Sequence, residues 1–195
     1  MEAEVTSLRT KHVGTRPNIL PISDAILDDC ERSFTAAQES KAKSSVSFFD
    51  DTGLMALICR HDRVLFMVNL KSTGEKQYYA FALLDALFKE LPQDWIIGVL
   101  YDIGCQIHRS CEKVWASNVM DVANVKQHNL LPNYRHRIIW GISVFHAYGH
   151  QWPCQLTYHP RKRPDFGLSD GEGCERFWSA ISYLIPPLRV SNVSR

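Results

Sequence analysis

The sequence contains no C-x-x-C pair, although it has six cysteines, at positions 30, 59, 105, 111, 154 and 174. That spacing argues against a zinc ribbon. Thiols scattered so widely read as reduced side chains, some of them available to a metal, rather than as a disulfide framework. The opening Met1-Glu2-Ala3-Glu4 lacks a basic region followed by an apolar stretch, so no secretory leader and an intracellular protein are expected. Long apolar runs are missing too, since none approaches the roughly 18 to 20 residues that crossing a bilayer takes. Excess charge of one sign is the third absence. Lys and Arg total 22 against 21 acids, so global basicity announces no polyanion partner.

What is present suits one globular domain with a core of its own: 195 residues, 45% hydrophobic and 22% charged. The charge is unevenly placed. Residues 50–104 carry 5 basic and 8 acidic groups, and residues 105–140 carry 5 and 2. An acidic sector suited to divalent cations therefore precedes a basic one suited to phosphates, although an ordinary solvated surface gives the same pattern.

Residues 1–44 are polar and read as a poorly defined N-terminal segment with a short helix near 24–40; the folded core is expected over 45–195. Three short apolar runs, 45–49, 54–59 and 64–70, are separated by Asp51-Thr52-Gly53 and by charged residues 60–63, which predicts a three-stranded meander. Ser72-Thr73-Gly74-Glu75 offers a helix cap, and Tyr78, Phe81, Leu84, Leu87 and Phe88 recur at helical spacing up to Pro92. Residues 95–101 then read as a strand buried on both faces. A loop or short helix rich in Cys, Asn and His is expected as an insertion after it. Residues 138–152 are expected as one packed helix halted by Pro153.

Three strands, a helix and a fourth strand is the element order of an α/β, ribonuclease H-like mixed sheet flanked by helices. In that arrangement strands one and four adjoin, which would make neighbours of Asp50 and Asp102. Two such carboxylates repel unless a cation lies between them, and paired divalent ions about 3.5–4 Å apart stabilise the attacking and leaving oxygens of a phosphoryl displacement. An Asp at a strand end is equally at home as a turn residue or helix cap. Ser169 and Asp170 offer a cap for a further helix, which carries Glu172 and Glu175 on one face and should end before Pro186 and Pro187; either glutamate could complete an acidic trio.

His146 and His150 stand four apart, with Cys154 one step further. The spacing is that of H-E-x-x-H, but Ala147 stands at the general-base position, so a metalloprotease is excluded. A structural zinc held by His146, His150 and Cys154, with Cys59 or His61 as fourth ligand, is one reading, and histidines hydrogen-bonded within a core are the other. Arg161, Lys162 and Arg163 lie between Pro160 and Pro164, an extended basic stretch suited to phosphate or simply solvated. A cysteine hydrolase using Cys105 or Cys154 with His146 would need an oxyanion site that nothing in the sequence fixes.

Four stretches carry a resemblance: F-F-D-D-T-G-L-M-A-L-I-C-R-H-D (48–62), G-V-L-Y-D-I-G-C-Q (98–106), F-H-A-Y-G-H-Q-W-P-C-Q (145–155) and G-L-S-D-G-E-G-C-E-R-F-W-S (167–179). Together they resemble the catalytic core of Kyakuja-Dileera-Zisupton (KDZ) transposases over residues 30–190. The resemblance implies a DDE/D nuclease that uses Mg²⁺ or Mn²⁺ to cut and join DNA, acting on transposon ends and target DNA in the nucleus, with a homo-oligomer as a candidate assembly. Carried over residue by residue, the acids are Asp50 (alternative Asp51), Asp102 and Glu175 (alternative Glu172). The preference for Glu175 rests on the likeness of Glu-Arg-Phe-Trp-Ser to the Glu-Arg-x-Phe-Ser element of hAT-type transposases. Arg176 beside it is a candidate contact to the scissile phosphate, together with the basic stretch at 161–163. Family members are longer, with cysteine-rich regions before the core and helical sequence after it, so the chain is expected to be a transposase fragment or relic. A catalytically inactive nucleic-acid or protein-binding remnant is the alternative.

Overall fold

The computed structural model describes residues 22–41, 51–71, 75–116 and 132–190. The first element is helix α1 (Asp24–Lys41), which buries Leu27 and Cys30 from one face. Strands β1 (Gly53–Ile58) and β2 (Val64–Leu70) form an antiparallel hairpin, with Gly53 opposite Leu70 and a register shift at Leu57/Ile58. Asp62 turns the chain at φ 59°, a left-handed position that Asp tolerates better than most side chains. The first run of the expected meander, 45–49, lies outside the described residues, as does Asp50.

Helix α2 (Gln77–Glu90) follows the expected period, burying Phe81, Leu84 and Phe88, and stops at Leu91, which is forced toward extended geometry by Pro92. Its N-cap is Lys76, and Ser72 and Thr73 of the expected cap lie outside the described residues. Strand β3 (Ile97–Leu100) is shorter than the apolar run, because Trp95 and Ile96 are exposed. Of its four residues only Val99 is buried, which corrects the expectation of burial on both faces. Among the described residues β3 pairs on one side alone, in parallel with β4 (Ile138–Gly141), Ile97 lying opposite Ile138.

Between them runs helix α3 (Gly104–Ala116), the helical form of the expected loop or short helix. Cys105, Ile107 and Cys111 form its buried stripe. Its polar residues clamp α1. The Arg109 guanidinium donates to Asp28 at 2.5 Å and pairs with Glu31, and Gln106 Nε2 donates to the Leu27 carbonyl at 2.6 Å. Arg109 and Gln106 are nearly fully buried, so both groups depend on these partners.

Residues 138–152 do not form one helix. All four residues of β4 are buried, and a short β-branched and aromatic run of that kind suits a covered strand as well as a helix. After it come α4 (Val144–Ala147), a turn, and α5 (Trp152–Tyr158). Pro153 sits in the first turn of α5 and so begins a helix rather than halting one, because an N–H is not needed there. His146 and His150 therefore do not share a helical face. The chain continues through α6 (Gly173–Ile181), which ends ahead of the two prolines as expected, and α7 (Ile185–Val190), which carries them in its first turn.

The described residues thus form a mixed α/β fold with one antiparallel and one parallel two-stranded sheet. Residues of β1 and β3 line one cavity of about 730 Å³, and among the described residues the outer edges of both strands lack a strand partner. No helix among these residues is long and apolar enough to cross a membrane.

Candidate functional site

Asp102 lies two residues past β3, and its side chain is 42% exposed. The segment leaving β4 holds it from one side. Ser143, itself buried, donates its hydroxyl to Asp102 Oδ1 at 3.2 Å, and His146 Nδ1 lies 3.3 Å from the same oxygen and 3.0 Å from Ser143 Oγ. Because the serine has one proton to give, the Nδ1–H tautomer of His146 supplies the remaining bond. Glu175, on the exposed side of α6, joins them: one ligand atom each of Asp102, His146 and Glu175 lies within 4.8 Å of the others. Two of the residues singled out from sequence, Asp102 and Glu175, are therefore brought together, 73 positions apart in the chain.

Glu172 occupies a different position. Its Oε1 accepts the Phe145 N–H at 2.7 Å, near the start of α4, and its Oε2 is 3.9 Å from His146 Nδ1. Asp51 is further removed in role, accepting from Asn69 Nδ2 at 2.8 Å and pairing with Lys71 beside the hairpin. Glu75 is an acid that the sequence did not single out. Tyr101 Oη donates to it at 2.5 Å, while the surrounding protein and then the Asp102 charge act on its carboxyl, whose pKa is raised overall despite that bond. Its only signal in the sequence was a place in the cap of α2. The Cys174 thiol registers the crowding of charge: burial first, then Asp102, Glu175, Glu75 and Glu172, push it up to about 11.

Such a field draws in cations. Two carboxylates and an imidazole, partly open to solvent, form a donor set that fits Mn²⁺, and Mg²⁺ through the oxygens. Asp50, the other expected ligand, is outside the described residues.

Arg176 is clasped by two acids, Asp62 at 2.7 and 2.8 Å and Asp170 at 2.8 Å. These bonds hold both carboxyls below the usual carboxylate range. The guanidinium joins α6 to the β1–β2 turn. The basic stretch is a 3₁₀ turn, Pro160–Lys162, rather than extended chain. Arg161 and Lys162 are exposed, Lys162 Nζ lies 4.8 Å from the Trp152 ring centre, and Arg163 Nη1 donates to the Thr157 carbonyl at 3.3 Å.

The expected zinc set is rearranged. His146 belongs to the acidic site and Cys59 sits beside His61 at 3.9 Å, whereas Cys30, His150 and Cys154 form a Cys/His group that could hold a metal. Cys30, from the segment expected to be poorly defined, was missed, since nothing in sequence ties a cysteine on α1 to one 124 positions later. The Cys30 thiol is lowered to about 5, chiefly by its bond with Cys105. A cysteine hydrolase finds no support in this arrangement: Cys105 and Cys154 are fully buried and the histidine beside Cys105 is His150.

No curated protein and no solved structure matches the chain. The model of one protein family, described as Kyakuja-Dileera-Zisupton transposase, matches residues 2–195. With essentially its whole length covered, and with two acids from separate elements meeting at one surface, the chain belongs to the KDZ transposase family.

Proposed function

We propose that this chain is the catalytic core of a DDE-type transposase, cutting and joining DNA phosphodiesters with divalent cations on a ribonuclease H-like fold. The observation that carries the reading is the meeting of Asp102 and Glu175 in a cation-attracting site of a transposase-family protein. Asp50 completes the trio in this reading. Asp50 itself, with the strand expected at 45–49, lies outside the described residues.

A pair of Mg²⁺ or Mn²⁺ ions, when bound, supplies charge for the attacking and leaving oxygens of an in-line displacement. The chain's own residues do the rest. Asp102 and Glu175 offer oxygens, and Ser143 and His146 fix the rotamer of Asp102 so that one carboxylate oxygen stays directed outward. Arg161 and Lys162 face solvent and meet DNA phosphates, with Arg163 closing the turn behind them. Arg176 braces α6 through Asp62 and Asp170 and so positions Glu175. This role places the protein with DNA, inside the cell and in the nucleus.

The reading is tested with supercoiled plasmid and Mn²⁺. Nicked circles should form with Mn²⁺ and not with excess chelator. Nicking that persists in chelator would contradict metal-dependent cleavage. One observation favours the alternative of an inactive binding remnant: Tyr183, Ile185 and Leu188 are at least half exposed or close to it, an apolar row on the last described turns. A folded, metal-loaded chain that binds DNA without cutting it would select that alternative.

A further inference from the structure

We infer that Cys30, Cys105, His150 and Cys154 form a four-coordinate structural zinc site, separate from the acidic site and fastened to it through Asp102. The four donors come from α1, α3, the turn after α4, and α5. Cys30 Sγ and Cys154 Sγ are 3.3 Å apart, far beyond the roughly 2.05 Å of a disulfide. Cys105 Sγ is 3.5 Å from His150 Nδ1, and one donor atom each of Cys30, His150 and Cys154 lies within 4.8 Å of the others. Zn–S bonds of about 2.3 Å and Zn–N bonds of about 2.0–2.1 Å in a tetrahedron put neighbouring ligands roughly 3.5–3.8 Å apart, close to the 3.3 Å of the Cys30–Cys154 pair and the 3.5 Å of the Cys105–His150 pair.

The donor chemistry selects the metal. Three thiols and one imidazole are soft ligands that suit zinc and disfavour Mg²⁺ or Mn²⁺. All three cysteines are buried, with Cys105 and Cys154 at 0% exposure, which matches a closed structural centre rather than an open catalytic one. The Gln151 N–H donates to Cys30 Sγ at 3.4 Å, a bond suited to a thiolate.

The surrounding shell is also in place. His150 Nε2 lies 2.8 Å from the Asp102 main-chain oxygen. A carbonyl only accepts, so Nε2 carries the proton and Nδ1 keeps a lone pair turned toward the thiols. The same bond anchors the backbone of Asp102, whose side chain faces the acidic site. One centre thereby ties α1 to the core and steadies a carboxylate that the proposed chemistry uses.

The test is metal analysis of the chain purified under reducing conditions without chelators, followed by cobalt exchange. About one zinc per chain is expected. The cobalt form should show the intense visible bands of a tetrahedral site and a strong sulfur-to-cobalt charge-transfer band in the near ultraviolet. Cys30→Ser and Cys105→Ser should each lose the zinc, whereas Cys59→Ser and Asp102→Asn should keep it. Retention of zinc and of the cobalt spectrum in Cys105→Ser, or a wild-type chain that folds without zinc, would overturn the site. Should a serine variant fail to fold, the wild-type cobalt spectrum decides, since a six-coordinate or sulfur-free spectrum is incompatible with the assignment. Zinc retained in Asp102→Asn while nicking is lost keeps this result independent of the proposed cleavage activity.

Discussion

Asp102→Asn should lower Mn²⁺-dependent plasmid nicking by at least about 10³-fold, equivalent to about 4 kcal/mol of transition-state stabilisation. Asparagine keeps the shape of the side chain and an oxygen that can accept from Ser143, which now lies 3.2 Å from Asp102 Oδ1. The fold around β3 should therefore survive. What disappears is the negative charge and the anionic ligand, in a pocket where Glu75, Glu172 and Glu175 add to the same field. Asp51→Asn provides the contrast. Asp51 is engaged by Asn69 and Lys71 beside the hairpin, so its loss should leave nicking within about twofold once folding is verified, a surface pair being worth little. Nicking that survives Asp102→Asn, or that vanishes with Asp51→Asn, would reassign the acids.

Gly104→Ala should destabilise the protein by about 3 kcal/mol, a large share of the roughly 5–15 kcal/mol that keeps a domain folded. Gly104 opens α3 directly behind Asp102, where the helix crosses the end of β4. A Cβ there would collide with the Gly141 carbonyl oxygen and stand 3.0 Å from its carbon. Both are backbone atoms and cannot rotate away, so the β3–β4 pairing or the start of α3 would have to shift. Gly149→Ala is the control, its Cβ meeting nothing closer than the His146 oxygen at 3.4 Å. Thermal or urea unfolding distinguishes the two. A Gly104→Ala chain as stable as wild type would mean that α3 and β4 do not approach this closely.

The elements that the sequence made legible are those with one dominant signal. Strand β2 coincides with the apolar run at 64–70, and α2 follows its apolar period up to the proline. Residues 138–152 are misleading because a continuous apolar run fits a covered strand and a buried helix alike, and because Pro153 serves equally to stop a helix or to start one. That single error placed His146 and His150 on one face. In the structure, the chain turns between them, sending one to the side chain of Asp102 and the other to its carbonyl. Asp102 and Glu175, which the structure brings together, stand out in the sequence because motifs carry them. The Cys30–Cys105–His150–Cys154 cluster could not, since its donors come from four segments with no local spacing to betray them. Glu75 was hidden for another reason: an acid in a helix cap looks ordinary until Tyr101 and Asp102 are seen beside it.

The measurement that bears most directly on the account is the position of manganese in crystals of the chain grown with Mn²⁺, located by its anomalous scattering. The account predicts a peak within bonding distance, about 2.0–2.4 Å, of carboxylate oxygens of Asp102 and Glu175, with the Asp50 carboxylate turned into the same site. Manganese bound elsewhere with the Asp102–Glu175 site empty, or Asp50 on a segment that does not adjoin β3, would contradict it.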